Sequence, residues 1–134
     1  MKVVLDTNVF ISGVFFSGPP FQILQAWRDG KIQPVISPEI LDEYRRVGEI
    51  LGEEHPAINL ELMLEYVIHN AVVFSAHPLP ERVSDDPDDD KFLACALTSG
   101  SNLVVSGDRP LLKVSGYQNI EVLKPRYFLD KYLG

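Results

Sequence analysis

Carboxylates at the ends of apolar runs are the residues here most able to do chemistry. Asp6 closes KVVLD (2–6), and Asp108 closes NLVVSGD (102–108), separated from its valines only by Ser106 and Gly107. A third group, SDDPDDDKFL (84–93), crowds five aspartates around one proline. Like charges so close repel, so the segment is either a solvated acidic loop or a seat for a cation. A helix N-terminus offers only about 0.3 to 1 kcal/mol per charge, and no Lys or Arg lies in a strand-end turn except Arg109. A hard divalent ion such as Mg²⁺ or Mn²⁺ suits an all-carboxylate set better, because it takes oxygen ligands. Each strand-end aspartate taken singly is also explained as a helix N-cap.

Helix geometry ranks the remaining acids. Residues 38–51 carry the apolar stripe Ile40, Tyr44, Val47 and Leu51, the spacing of a core-facing helix. At about 100° per residue, Glu43 lies roughly 70° from the centre of that stripe, Glu39 about 110°, and Asp42 and Glu49 nearly opposite. Glu43 is therefore the acid turned furthest inward. In the aspartate segment Asp86 precedes Pro87, the pattern of an N-cap followed by the first helical residue. Phe92, Leu93 and Ala96 form the buried stripe beyond it, and Asp89 falls almost at the centre of that face. Asp88 and Asp90 lie roughly 90 to 110° to either side. A carboxylate aimed at an apolar face needs a partner.

The elements that must position these groups alternate. Strands are expected at 2–6, 33–37, 71–75, within 102–108 where a turn follows, and at 120–125. Helices are expected at 21–30 after the turn FSGPP (16–20), at 38–51, at 59–68, from the aspartate segment to Ser99 and Gly100, and at 125–133. The strands read as continuous apolar runs, the mark of βαβ units around a mostly parallel sheet. In such sheets ligands bind beyond the carboxyl ends of the strands.

Size and composition set the frame. The 134 residues, 46% hydrophobic, suffice for a core within one domain spanning 1–134. Cys95 stands alone and cannot form an internal disulfide, and the first residues are too few and too polar for a signal-peptide core. With no apolar run near the length of a membrane helix, the chain reads as cytoplasmic. A net charge of −7 argues against gripping nucleic acid by a broad basic face, yet carboxylate-bound cations would reverse that sign locally.

LDTNVFISG (5–13), ISPEILDEYRRV (36–47), DPDDDKFLACAL (86–97) and VVSGDRPLL (104–112) together resemble the four acidic motifs of PIN-domain ribonucleases, in the branch of toxin–antitoxin toxins. The resemblance implies a three-layer α/β/α sandwich around a central, mostly parallel sheet. It also implies an acidic quartet of Asp6, Glu43, Asp89 and Asp108 holding Mg²⁺ or Mn²⁺ for hydrolysis of RNA phosphodiesters. Asn8 and Ser106 would orient water or phosphate, and Asp86 is a candidate further ligand as well as a cap. An RNA substrate, a small antitoxin and a homodimer are the partners implied. Arg45, Arg46, Arg82 and Arg109 are candidates for backbone contacts, although solvation explains each as well. The competing reading is a non-catalytic regulatory or binding module that keeps the fold and uses its acids as caps and surface charge.

Overall fold

Every strand of the central sheet is short, two to four residues, and each contains at least one valine. In the computed structural model, which describes residues 1–134, β1 (Lys2–Leu5) leads into α1 (Thr7–Phe15) and α2 (Pro19–Arg28). Then follow β2 (Gln33–Ile36), α3 (Pro38–Glu54), α4 (Leu60–Asn70) and β3 (Val72–Val73). A 3₁₀ turn (Pro87–Asp89) opens α5 (Asp90–Ser99), which leads to β4 (Leu103–Val105), α6 (Arg109–Leu112), β5 (Glu121–Leu123) and α7 (Pro125–Phe128). The chain ends in a π-helical turn, Leu129–Leu133.

Prolines set the helix starts because their fixed φ suits a first turn that lacks N–H acceptors. Pro19, Pro38, Pro87, Pro110 and Pro125 all occupy such positions. Ser37 and Asn59 cap α3 and α4 by accepting from the N–H groups of Ile40 and Leu62. Gly100 ends α5 in the left-handed conformation, φ 75°, which costs a glycine little.

All five strands are parallel, in the order β3-β2-β1-β4-β5. The chain winds outward from β1 through β2 to β3, then crosses back to build β4 and β5 on the other side. Crossovers of one hand that run in opposite directions place their helices on opposite faces, which gives the three-layer α/β/α sandwich. Helix α5 packs on β1, β2 and β4, while α1 packs on α2 and α3, and α2 reaches α7. Covered on both sides, Val3, Val4, Leu5, Val104 and Val105 are buried, with Phe10, Ile40, Leu93 and Phe128 filling the layers. The reversal falls between β1 and β4, and there the connections diverge and leave a crevice at the carboxyl edge.

Besides the short helix α6, which is not expected, and β4, which is confined to Leu103–Val105, two elements depart from the expectation. Helix α1 lies within the first acidic stretch, where no helix is expected. Thr7, Val9, Phe10, Ile11, Gly13 and Phe15 are all buried, and the polar strip of Asn8 and Ser12 is too narrow to mark a helical period. The strand expected at 71–75 shortens to Val72–Val73, both exposed at the sheet edge. No single helix is long and apolar enough to cross a membrane.

Candidate metal centre

The crevice begins at Asp6. Its N–H donates to the carbonyl of Val105 at 2.9 Å, and its own carbonyl receives the N–H groups of Val9 and Phe10 as α1 starts. The backbone thus occupies the N-cap position, but the side chain makes no capping bond. It turns to the neighbouring strand, where Ser106 Oγ donates to Asp6 Oδ2 at 2.6 Å. The same hydroxyl receives the N–H of Asp108 at 2.9 Å, so one serine ties the ends of β1 and β4 together. Asp108 likewise precedes α6 without a side-chain cap. The capping account of these two side chains therefore fails.

Asp89 comes from the opposite wall. The 3₁₀ turn tips it into the crevice, where it is buried and its Oδ2 has no donor. Burial, then a hydrogen bond shared with Asp108 and the charges of Asp108, Asp6 and Asp86, push its carboxyl up to about 8. Asp6 is also raised, chiefly by burial, with the charges of Asp108 and Glu43 adding to that and bonds from Ser106 and the Thr7 N–H opposing it. Without a cation, burial and the neighbouring carboxylates therefore favour the protonated form of Asp89 near neutrality.

Glu43 is delivered by α3. Its neighbour Tyr44 is buried, stacks on Phe10 at 4.3 Å between ring centroids, and donates from Oη to the carbonyl of Leu5 at 2.5 Å. This fastens α3 to the last residue of β1. The Glu43 carboxylate is already engaged: Thr7 Oγ1 donates to Oε2, Lys91 Nζ lies 2.7 Å from Oε1, and Arg46 lies 3.5 Å from it.

These walls enclose a cleft of about 280 Å³ lined by Asp6, Thr7, Asn8, Glu43, Asp86, Asp88, Asp89 and Asp108, with Val47 the one hydrophobic residue. All four members of the expected quartet thus border one space, and Asn8 stands exposed on its rim. Asp86 both lines the cleft and caps the turn, accepting from the Asp88 N–H at 3.0 Å. Asp90 faces away, where its two oxygens accept from the N–H groups of Val83 and Ser84 at 3.0 and 2.8 Å.

Thr7 and Lys91 were not singled out by sequence. Thr7 could have been, since it follows a strand-end acid directly. Lys91 lies 48 residues from Glu43 on a different helix, and no local pattern pairs them. Arg109 is the one Lys or Arg in a strand-end turn, yet it is Lys91, from the first turn of α5, that reaches Glu43. Of the other arginines, Arg45 pairs with Glu61 and Arg82 with the carbonyls of Ser84 and Asp85.

The donor set suits a hard divalent cation. Asp6, Asp89 and Asp108 offer only oxygen, and the orphaned Oδ2 of Asp89 is a buried acceptor that a cation would satisfy. As they stand, no three acidic side chains are close enough to hold one ion, so loading requires Asp89 to give up its proton and the carboxylates to draw together.

A family model described as PIN domain matches residues 2–110. The chain is 28% identical to an uncharacterized protein of Methanocaldococcus jannaschii, over 98% of this chain and 92% of that relative. Residues 2–110 include the first three acidic motifs whole and the fourth as far as Pro110, two residues beyond Asp108.

Proposed function

Because the chain belongs to the PIN-domain family, a family of nucleases, we propose that it is a metal-dependent endoribonuclease that uses Mg²⁺ or Mn²⁺. We read it as the toxin of a toxin–antitoxin pair, blocked by a small antitoxin and acting as a homodimer. The observation that carries the catalytic reading is Asp89. A buried carboxylate oxygen without a donor, facing Asp108 and Asp6 across the crevice where the sheet reverses, is costly unless a cation completes it.

Asp6, Asp89 and Asp108 would hold the ion, with Asp86 in reach and Glu43 joining as its pairing with Lys91 loosens. A bound divalent ion supplies Lewis acidity to the phosphoryl group and acidifies a water molecule. Ser106 keeps Asp6 pointed at the cleft, and its Oγ fixes the backbone that carries Asp108. Asn8, exposed at the rim, orients water or phosphate. No side chain needs to act as a covalent nucleophile, since the carboxylates can take the proton released as water attacks phosphorus.

The test is cleavage of single-stranded RNA with Mn²⁺ by the wild-type chain, Asp6→Asn and Asp89→Asn, each checked for folding by circular dichroism. Loss of cleavage in both folded variants is expected. Wild-type turnover in both would refute the assignment. A short reading frame with a DNA-binding half directly upstream would support the toxin role.

A further inference from the structure

Lys91 is the unusual charge beside this cleft. Its side chain is 20% exposed, and its ammonium lies 2.7 Å from Glu43 Oε1, while Arg46, the other cation on that carboxylate, is 70% exposed and 3.5 Å away. Lys91 also stands where two spaces meet. It lines a groove of about 380 Å³ that shares Glu43 and Asp88 with the acidic cleft. On its other side it borders a hollow of about 590 Å³ walled by residues 76–82, including His77, Leu79 and Arg82.

A divalent ion taken up by Asp6, Asp89 and Asp108 competes with the ammonium for Glu43 and repels it. A half-buried ammonium that loses its carboxylate needs another anion. A phosphodiester backbone brings one negative charge per linkage, and charge-assisted bonds to phosphate oxygens are stronger than neutral ones. Lys91 has both the position and the need to take that charge.

We propose that Lys91 is a substrate-positioning residue: it neutralises Glu43 while the cleft holds no cation, and on metal loading grips the phosphate beside the scissile one, steering the adjoining nucleoside toward the hollow. This rests on the endoribonuclease reading and names a residue that reading does not use.

The test compares wild type, Lys91→Gln and Lys91→Arg in two measurements. Calorimetric titration with Mn²⁺ alone, without RNA, reads the competition for Glu43, and Lys91→Gln should bind Mn²⁺ about threefold or more tightly because a neighbouring positive charge is gone. Steady-state cleavage of a short single-stranded RNA of mixed sequence with saturating Mn²⁺ reads the phosphate contact. There Lys91→Gln should raise KM about tenfold with kcat changed far less, and Lys91→Arg should restore most of KM. Weaker Mn²⁺ binding and a lower kcat at unchanged KM in Lys91→Gln would overturn the proposal, since they would make the lysine a strut for Glu43. If wild type binds Mn²⁺ but cleaves no RNA, the nuclease reading falls and the proposal with it, an outcome distinct from a fall in kcat alone.

Discussion

Ser106 and Asp6 lie 100 residues apart in sequence and 2.6 Å apart in the fold, and the hydroxyl of one holds the carboxylate of the other at the reversal of the sheet. Because the Ser106 Oγ also receives the Asp108 N–H, this single atom sets the relation between two strand-end acids. Ser106→Ala leaves a buried carboxylate oxygen without its donor, which costs about 1 to 3 kcal/mol. Urea denaturation should read that loss, and Mn²⁺ titration should show weaker binding because Asp6 is no longer aimed.

The carboxyl of Asp89 gives a pH signature. In the folded chain it titrates at about 8, whereas in the unfolded chain an aspartate titrates near 3.9. Between these values the folded state holds the extra proton, so stability falls as pH rises. The contribution is fully present below about pH 4 and is lost as pH climbs through about 8. In EDTA the urea midpoint should decline from about pH 5 to about pH 8.5, and Asp89→Asn, which cannot ionise, should flatten much of that slope. A wild-type midpoint that rises across this range would contradict the buried, proton-sharing geometry.

Metal should reverse the trend. Mn²⁺ binds the deprotonated cluster, so it must displace the proton on Asp89. The increase in melting temperature on adding Mn²⁺ should therefore be larger at about pH 8 than at about pH 5.5. Asp89→Asn should lose most of the increase at both. Differential scanning fluorimetry with matched EDTA controls measures it.

Tyr44 tests whether α3 is held to the site by one bond. Its buried hydroxyl donates to the carbonyl of Leu5, the residue before Asp6. Tyr44→Phe keeps the stack on Phe10 but leaves that carbonyl with one partner fewer, a change of about 0.5 to 1.5 kcal/mol. Activity should fall in proportion to the drift of Glu43, and much less than in Asp6→Asn. Steady-state kinetics on both variants separates the two.

Two glycines should respond in opposite directions. A Cβ on Gly13 would lie 2.7 Å from Leu24 Cδ1 and 2.9 Å from the carbonyl oxygen of Pro20, and that backbone atom cannot easily move. Gly13→Ala should therefore destabilise by about 1 to 3 kcal/mol, as overpacking does. Gly52, within α3, has nothing within 4 Å, so Gly52→Ala should stabilise by about 0.5 to 1 kcal/mol. Chemical denaturation of the two variants decides both signs.

The sequence by itself determined which residues form most of the strands and helices, because apolar period, prolines and caps are local. It also determined that Glu43 turns inward on α3 and that Asp89 sits on the buried side of its turn, since helical rotation is fixed by residue spacing. It did not reveal α1, because that helix is mostly buried and its polar strip, Asn8 and Ser12, is too narrow to mark a period. The strand order was decided only by tertiary structure. Asp6 meets Asp108 because β1 and β4 pair in register, Leu5 beside Val105, and pairing between strands about 100 residues apart leaves no local trace. The same holds for Lys91 on Glu43. Contacts of this kind depend on how packed layers approach one another, and that distance is written in the fold of the whole chain and in no short stretch of it.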